Sequence, residues 1–189
     1  MSVRAVIADA YRGALPTLLV SAVGGLLAGT VLAGMDEELA TVDGLLVLLP
    51  AFLAIRGSVY GSLGARLSSA LHQGLIDPEF KPTRPLLRAI AAALGNGVTA
   101  SLFAATLTVT VLRVLGRSVA PLSTLALIAL LGGLLAGVAL IGTVVTVVFL
   151  GFRRGMNPDD LVGPTVTTAG DVFGMLALLV AARIAIAVT

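Results

Sequence analysis

The first candidate for chemistry is an aspartate inside a long apolar segment. Asp171 lies about ten residues into residues 161–188, and Thr167 and Thr168 lie four and three residues before it, so on a helix one face offers a carboxylate and two hydroxyls. Pro164 removes a backbone hydrogen bond in the preceding turn and frees a carbonyl oxygen. Because a set of oxygens suits a hard cation such as Mg²⁺, we interpret Asp171 as a cation or proton site. A protonated aspartate that bonds to a neighbouring helix is the alternative.

Two arginines interrupt the apolar stretch 45–76. Arg56 and Arg66 are ten residues apart, about 15 Å along a helix, and small or hydroxylated residues such as Gly57 and Ser58 lie between them. Small residues let helices approach closely, so one explanation of the segment is a helix-packing surface in which the arginine has hydrogen-bond partners. A pore-lining role for Ser58 is the alternative. An arginine in a cation path would repel the ion, and Arg56 and Arg66 are therefore expected to be structural or gating residues.

Amides and carboxylates occur at two further places. Asn96, in the stretch 86–115, offers a fixed amide oxygen at membrane depth and is a candidate ligand. Between the last two apolar stretches, Asn157 or Asp159 can cap the following helix, and Asp159 and Asp160 suit its positive end. Recruitment of a hydrated cation at the cytoplasmic mouth is the functional alternative for these three residues.

The composition indicates which elements position these groups. Of 189 residues, 58% are hydrophobic and only 12% are charged, whereas a soluble domain has about 25% charged residues. A membrane core of roughly 30 Å requires about 20 apolar residues per helix. The chain is thus predicted to be an all-α integral membrane protein, one five-transmembrane-helix domain over residues 1–189. Its predicted parts are a short amphipathic N-terminal segment at 1–13 and spans at 14–34, 45–76, 86–115, 121–152 and 161–188.

Lysine and arginine positions predict the orientation in the membrane. Short cytoplasmic loops are enriched in these residues, and the connection after the first span has none. The N-terminus is therefore predicted to be cytoplasmic and the C-terminus outside, in a multi-pass protein of the plasma membrane surrounded by membrane lipids. The basic residues are too dispersed for a nucleic-acid-binding surface. The predicted cytoplasmic residues are Arg4, Arg12, Lys81, Arg84, Arg88, Arg153 and Arg154, against Arg113, Arg117 and Arg183 on the other side.

Two motifs resemble a known transporter domain. Pro50-Ala-Phe-Leu-Ala-Ile-Arg-Gly-Ser58, followed by residues 61–69, resembles the second transmembrane helix of the MgtE-type magnesium transporter domain, which is duplicated in the eukaryotic solute-carrier magnesium transporters. Asn157-Pro-Asp-Asp-Leu-Val-Gly-Pro164, with Thr167-Thr-Ala-Gly-Asp171, resembles the fifth helix of the same domain. The resemblance covers essentially all five predicted spans.

The resemblance implies a site and an assembly. It implies that Asp171 binds Mg²⁺ in a pore between two five-helix bundles. Because a single domain lacks the tandem partner of the duplicated proteins, it also implies a homodimer. At the position of the family's helix-two glycine–asparagine pair this chain has Gly57 and Ser58, so a hydroxyl replaces an amide ligand.

These observations predict transport of Mg²⁺ or a related divalent cation such as Mn²⁺, Co²⁺ or Ca²⁺, with Mg²⁺ as the transported ion. A Na⁺- or H⁺-coupled Mg²⁺ exchanger is the first alternative, and a structural membrane subunit is the second. An enzyme is disfavoured, because the chain has no cysteine and one histidine, and it has no Ser–His or paired-aspartate motif at depth.

Overall fold

The computed structural model describes the backbone of residues 3–188, and their side chains except at 3–10, 12–14, 16, 17 and 160. In this part of the chain every regular element is an α-helix, which confirms the predicted all-α class. Five of the helices have 28 to 32 residues, about 42–48 Å, and so exceed the thickness of a hydrocarbon core. The helices are α1 (Val3–Ala33), α2 (Asp36–Thr41), α3 (Leu45–His72), α4 (Arg84–Val114), α5 (Leu122–Arg153) and α6 (Pro158–Val188).

Several of the long helices end at a glycine. After α4 and α5, Gly116 and Gly155 adopt φ angles of 65° and 72°, in the left-handed region that favours glycine. In each case the next residue donates its backbone N–H to a carbonyl five residues back, at 2.9 Å from Arg117 to Leu112 and 3.0 Å from Met156 to Gly151. These bonds satisfy helix-end carbonyls and let the chain reverse within a few residues.

The bundle is built around two long helices. α5 and α6 form the most extensive pair, α4 packs against α5, α1 packs against α6, and α3 contacts α4, α5 and α6. The buried apolar residues form two clusters, one that includes Phe52 and one that includes Tyr60. Arg56 lies one turn from each of these rings on α3, and its side chain is fully buried between the clusters.

Four helices within the described residues are long and apolar enough to cross a membrane: α3, α4, α5 and the Leu161–Val188 part of α6. In α1, where several side chains before Leu18 lie outside the described set, the apolar stretch among the described residues is Leu18–Ala33. Its outward residues include Leu18 and Leu26, which are 61% and 73% exposed and suit contact with lipid. The prediction of a multi-pass helical membrane protein is thus confirmed, whereas the count of five spans and the orientation stay predictions.

The start and the end of the first predicted span show how the helices relate to the prediction. From Val3 onward the predicted N-terminal segment is continuous with α1, and its amphipathic character stays a prediction, because most of its side chains lie outside the described set. The six-residue helix α2 was not predicted, since its acidic residues lack an apolar period. The remaining boundaries agree within about four residues, and α3 ends earlier than predicted, at His72.

Candidate functional site

The predicted ion-binding aspartate lines a cavity between α3 and α6. Asp171 is half-buried and forms no hydrogen bond or ion pair with any group that the structure describes. It lies about 20 Å along α6 from Pro158 and about 26 Å from Val188, near the middle of the helix. The cavity has a volume of about 220 Å³ and is lined by Leu53, Ala54, Gly57, Val166, Thr167, Gly170 and Asp171.

Of the two predicted threonine ligands, one shares this cavity. Thr167 donates its hydroxyl proton to the carbonyl of Gly163 at 3.0 Å, which leaves its oxygen as an acceptor facing the cavity. Thr168 faces α1 instead: its hydroxyl contacts the Ser21 hydroxyl at 3.4 Å, and its side chain packs against Gly24. Of the two threonines, the structure thus places only Thr167 in the Asp171 cavity, because successive helical residues are about 100° apart.

Ser58 and Asn96 lie in a different cavity. Both residues line a space of about 210 Å³ between α3 and α4, together with Ser62 and Arg66. Asp171 does not line this space. The structure thus separates the candidate ligands into an aspartate cavity on the α6 side of α3 and an arginine-containing cavity on its α4 side.

Arg56 ties three helices together. Its guanidinium donates to the carbonyls of Gly133 on α5 and Gly97 on α4, each at 3.2 Å, and to the Ser101 hydroxyl. The same group stacks 4.1 Å from the centroid of the Phe52 ring. Its stem passes beneath α6, where a Cβ on Gly170 would lie 3.7 Å from the Arg56 Cβ. Every polar partner of Arg56 is neutral and lies on another helix, so this geometry agrees with the packing interpretation, and the role of Arg56 stays a prediction.

The predicted cytoplasmic mouth forms the start of α6. The Asn157 side-chain oxygen accepts a hydrogen bond from the Asp159 backbone N–H at 3.2 Å, which supports the capping interpretation. Asp159 is exposed, and the side chain of Asp160 lies outside the described set. Pro164 lies within the continuous helix α6, one turn before the cavity.

One ion pair was not anticipated from the sequence. Arg183 near the end of α6 donates its Nε–H to a carboxylate oxygen of Glu38 on α2, at 2.6 Å. The Glu38 side chain is buried, whereas that of Arg183 is 64% exposed. The hydrogen bond and positive charge of Arg183 lower the pKa of Glu38 below its ordinary value. The sequence contained a usable signal: the connection after the first span, which carries Glu38 and has no lysine or arginine, and Arg183 both belong to the side predicted to be non-cytoplasmic.

Among the described residues no group of three or more His, Cys, Asp or Glu side chains could hold a metal ion. Within the described residues, the fold and the site define a polytopic α-helical membrane protein in which a carboxylate near the middle of α6 faces an interhelical cavity. The family model MgtE, described as "Divalent cation transporter", matches residues 49–181, more than two thirds of the chain. The protein belongs to this family, and the predicted resemblance is confirmed.

A curated relative agrees with this assignment. The chain is 24% identical over 163 residues to "Solute carrier family 41 member 2" of Mus musculus. The match covers 79% of this chain and 28% of that relative, so the chain spans little more than a quarter of the relative's length. Membership of a transporter family also supports the expectation that the protein is not an enzyme.

Proposed function

We propose that this protein transports Mg²⁺ across the plasma membrane as a homodimer, with Asp171 as the mid-membrane ligand. The observation that carries the proposal is the unpaired carboxylate of Asp171 at mid-length of α6, facing a cavity against α3. An ionisable group at this depth is costly unless it serves a pathway or has a partner. The family match includes both helices that form the cavity.

The lining of the cavity suits an ion that keeps its water. Mg²⁺ dehydrates reluctantly and usually keeps several waters, and a cavity of about 220 Å³ is large enough to hold several water molecules. The carboxylate of Asp171 would neutralise part of the charge, and the Thr167 oxygen would accept a hydrogen bond from a bound water. Ala54 and Gly57 add no bulk on the facing helix.

The proposed dimer supplies the missing charge. One chain offers one deep carboxylate, and a second copy would bring another to the same ion. A stripe of small residues on α3 offers a surface for close approach: Ala54 and Ala65 are exposed, and a Cβ on Gly57 or Gly61 would meet nothing within 4 Å. Two facing carboxylates would not both ionise easily without a cation, so the ion and the ionised state would stabilise each other.

The proposed orientation places the basic end of the bundle in the cytoplasm. A divalent ion that enters across a potential of about 100 mV then gains roughly 4.6 kcal/mol, twice the value for a single charge. At the proposed mouth, exposed Asp159, together with Asp160, would raise the local cation concentration only modestly, because salt screens exposed charges. The role of Asn157 there is to cap α6.

Flux into liposomes tests Asp171. Purified protein is reconstituted, and Mg²⁺ entry is followed with an entrapped indicator for the wild type, Asp171→Asn and Asp171→Glu. Asp171→Asn should lower the flux at least about 100-fold, equivalent to ~2.7 kcal/mol, because a neutral amide cannot offset desolvation of a divalent ion. Asp171→Glu should retain partial flux with altered ion preference. Asp77→Asn, an exposed aspartate in the α3–α4 connection, is the matched control.

Two outcomes contradict the proposal. Near wild-type flux in Asp171→Asn would remove Asp171 from the ion path, and a monomer by native mass spectrometry that remains active at high dilution would exclude the dimer. Repeating the assay with an imposed Na⁺ or proton gradient separates a channel from an exchanger, since only an exchanger would move Mg²⁺ uphill at the expense of that gradient.

A further inference from the structure

The groove between α3 and α4 is polar at one end and apolar along the rest. Its polar end is the cavity of about 210 Å³ that contains Ser62, Arg66 and Asn96. Its apolar part is a cavity of about 380 Å³, lined mostly by aliphatic and aromatic side chains such as Ile55 and Phe103. Ile55 lies one turn from Ser58, which borders the polar cavity, so the two cavities follow each other along the same pair of helices.

The arginine at the polar end has no partner. None of the side chains or backbone groups that the structure describes forms a hydrogen bond or an ion pair with Arg66, in contrast to the two terminal nitrogens of Arg56, which both donate hydrogen bonds. Arg66 is exposed and lies six residues before the end of α3, about 9 Å along the axis. A long arginine side chain at this depth can reach the polar boundary of a membrane. The same end of the bundle carries further cations, Lys81, Arg84, Arg88, Arg153 and Arg154.

We propose that this groove binds one anionic phospholipid. The headgroup phosphate would accept charge-assisted hydrogen bonds from the Arg66 guanidinium, which suits the planar, bidentate geometry of a phosphate. Ser62 and Asn96 add neutral donors beside it. An acyl chain would lie in the apolar cavity toward Ile55 and Phe103.

Charge and shape together favour a lipid over other occupants. Inorganic phosphate shares the headgroup chemistry but would leave the apolar cavity unfilled. In the proposed dimer, a second copy of the chain contacts a different surface of α3, the stripe that includes Gly57 and Gly61 beside the Asp171 cavity. A lipid in the groove would brace α3 from the side opposite that cavity, and the proposal does not depend on which ion the protein moves.

Native mass spectrometry of delipidated protein in detergent tests the proposal. The protein is titrated with 1-palmitoyl-2-oleoyl phosphatidylglycerol, with the phosphatidylcholine of the same chains, and with inorganic phosphate. We expect one phosphatidylglycerol per chain, bound at least tenfold more tightly than phosphatidylcholine, and no inorganic phosphate bound at the same concentration. Arg66→Gln should weaken phosphatidylglycerol about tenfold, equivalent to ~1.4 kcal/mol, whereas Arg154→Gln, an exposed arginine at the same end, should not change it.

A second variant probes the acyl-chain part. Ala51 is exposed and lines the apolar cavity, so Ala51→Trp should fill the cavity and weaken both phospholipids. Far-UV circular dichroism establishes that each variant retains its helix content, and a variant that does not is replaced by Arg66→Lys or Ala51→Phe. Equal weakening by Arg66→Gln and Arg154→Gln would overturn the site in favour of diffuse surface attraction.

Two other results overturn the proposal and identify another occupant. Binding of inorganic phosphate as tight as that of phosphatidylglycerol, and insensitive to Ala51→Trp, would show a free-anion site. A wild-type dimer that binds no phosphatidylglycerol, and that dissociates in Arg66→Gln, would show that a second copy covers the groove.

Discussion

Replacing Arg56 by methionine should harm the protein less than replacing it by lysine. The Arg56 side chain is fully buried and donates three hydrogen bonds to neutral oxygens on α4 and α5. Two of the acceptors, Gly97 and Gly133, are carbonyls inside helices, where a backbone N–H four residues on is the ordinary donor. Gly97 also accepts the Ser101 hydroxyl at 2.6 Å. Removal of the guanidinium therefore leaves no unsatisfied donor behind.

The magnitudes favour the apolar residue. Hydrogen bonds from a charged group contribute about 1.5–3 kcal/mol each, but burial of an ion without a counter-charge costs several kcal/mol. The Nε–H of Arg56 is also buried without a partner, which costs about 1–3 kcal/mol. Methionine removes the stabilising hydrogen bonds together with the cost of burying the charge and the unpaired Nε–H. Arg56→Met should therefore change the free energy of unfolding by about 1 kcal/mol or less. Lysine keeps the charge but cannot reach both helices, and Arg56→Lys should be destabilising by about 2–4 kcal/mol.

Unfolding in mixed micelles of increasing dodecyl sulfate content, followed by far-UV circular dichroism, measures this difference. Arg66→Lys is the matched control on the same helix, because the Arg66 side chain is exposed and unpaired, and it should lie within about 0.5 kcal/mol of the wild type. A lysine variant at position 56 as stable as the wild type, together with a strongly destabilised methionine variant, would refute the reasoning. The charge itself would then stabilise the bundle.

Two further predictions concern helix contacts. The pKa of Glu38 lies below its ordinary value of 4.5, so its ion pair stabilises the fold above that pH and loses this contribution as the pH falls further. Glu38→Gln should therefore reduce the loss of unfolding free energy on going from neutral to acidic pH, by less than about 1 kcal/mol. An unchanged loss at acidic pH would argue against the ion pair. In α5, a Cβ on Gly137 would lie 2.5 Å from the Tyr60 hydroxyl, whereas one on Gly142 would meet nothing within 4 Å. Gly137→Ala should thus lower the free energy of unfolding by about 1–3 kcal/mol, and Gly142→Ala should preserve or raise it; equal effects in the same micelle titration would count against this packing.

The long helices could be predicted because their signal is length and apolarity, which the bilayer imposes on each segment separately. α2 could not be predicted in this way. It is held by tertiary contacts, which include the burial of Met35 and Val42 at its two ends and the pairing of Glu38 with Arg183, 145 residues away in sequence. The N-terminal part of α1 was predicted as a short amphipathic segment before the first span, because charged residues such as Asp9 and Arg12 lower the hydropathy of a helix without ending it.

The candidate site was predictable only where its parts lie on one helix. The pairing of Asp171 with Thr167 follows from a spacing of four residues, and both line the same cavity. Thr168, at a spacing of three, faces α1, because the choice between the two neighbouring positions depends on where the other helices lie. Similarly, the partners of Arg56 are two backbone carbonyls and a hydroxyl on other helices, and no side-chain pattern in the sequence identifies them.

Three consecutive residues of α3 face three different environments. Arg56 points into the core, Gly57 lines the Asp171 cavity, and Ser58 lines the cavity that contains Arg66. Successive residues on a helix are about 100° apart, so this division follows from the geometry of α3 itself. The motif that resembles the transporter family therefore cannot be transferred to the proposed ion site as one unit. In this chain the member that borders the carboxylate cavity is the glycine, which would make room for the hydrated ion that we propose, while the hydroxyl beside it lines the groove that we assign to a lipid.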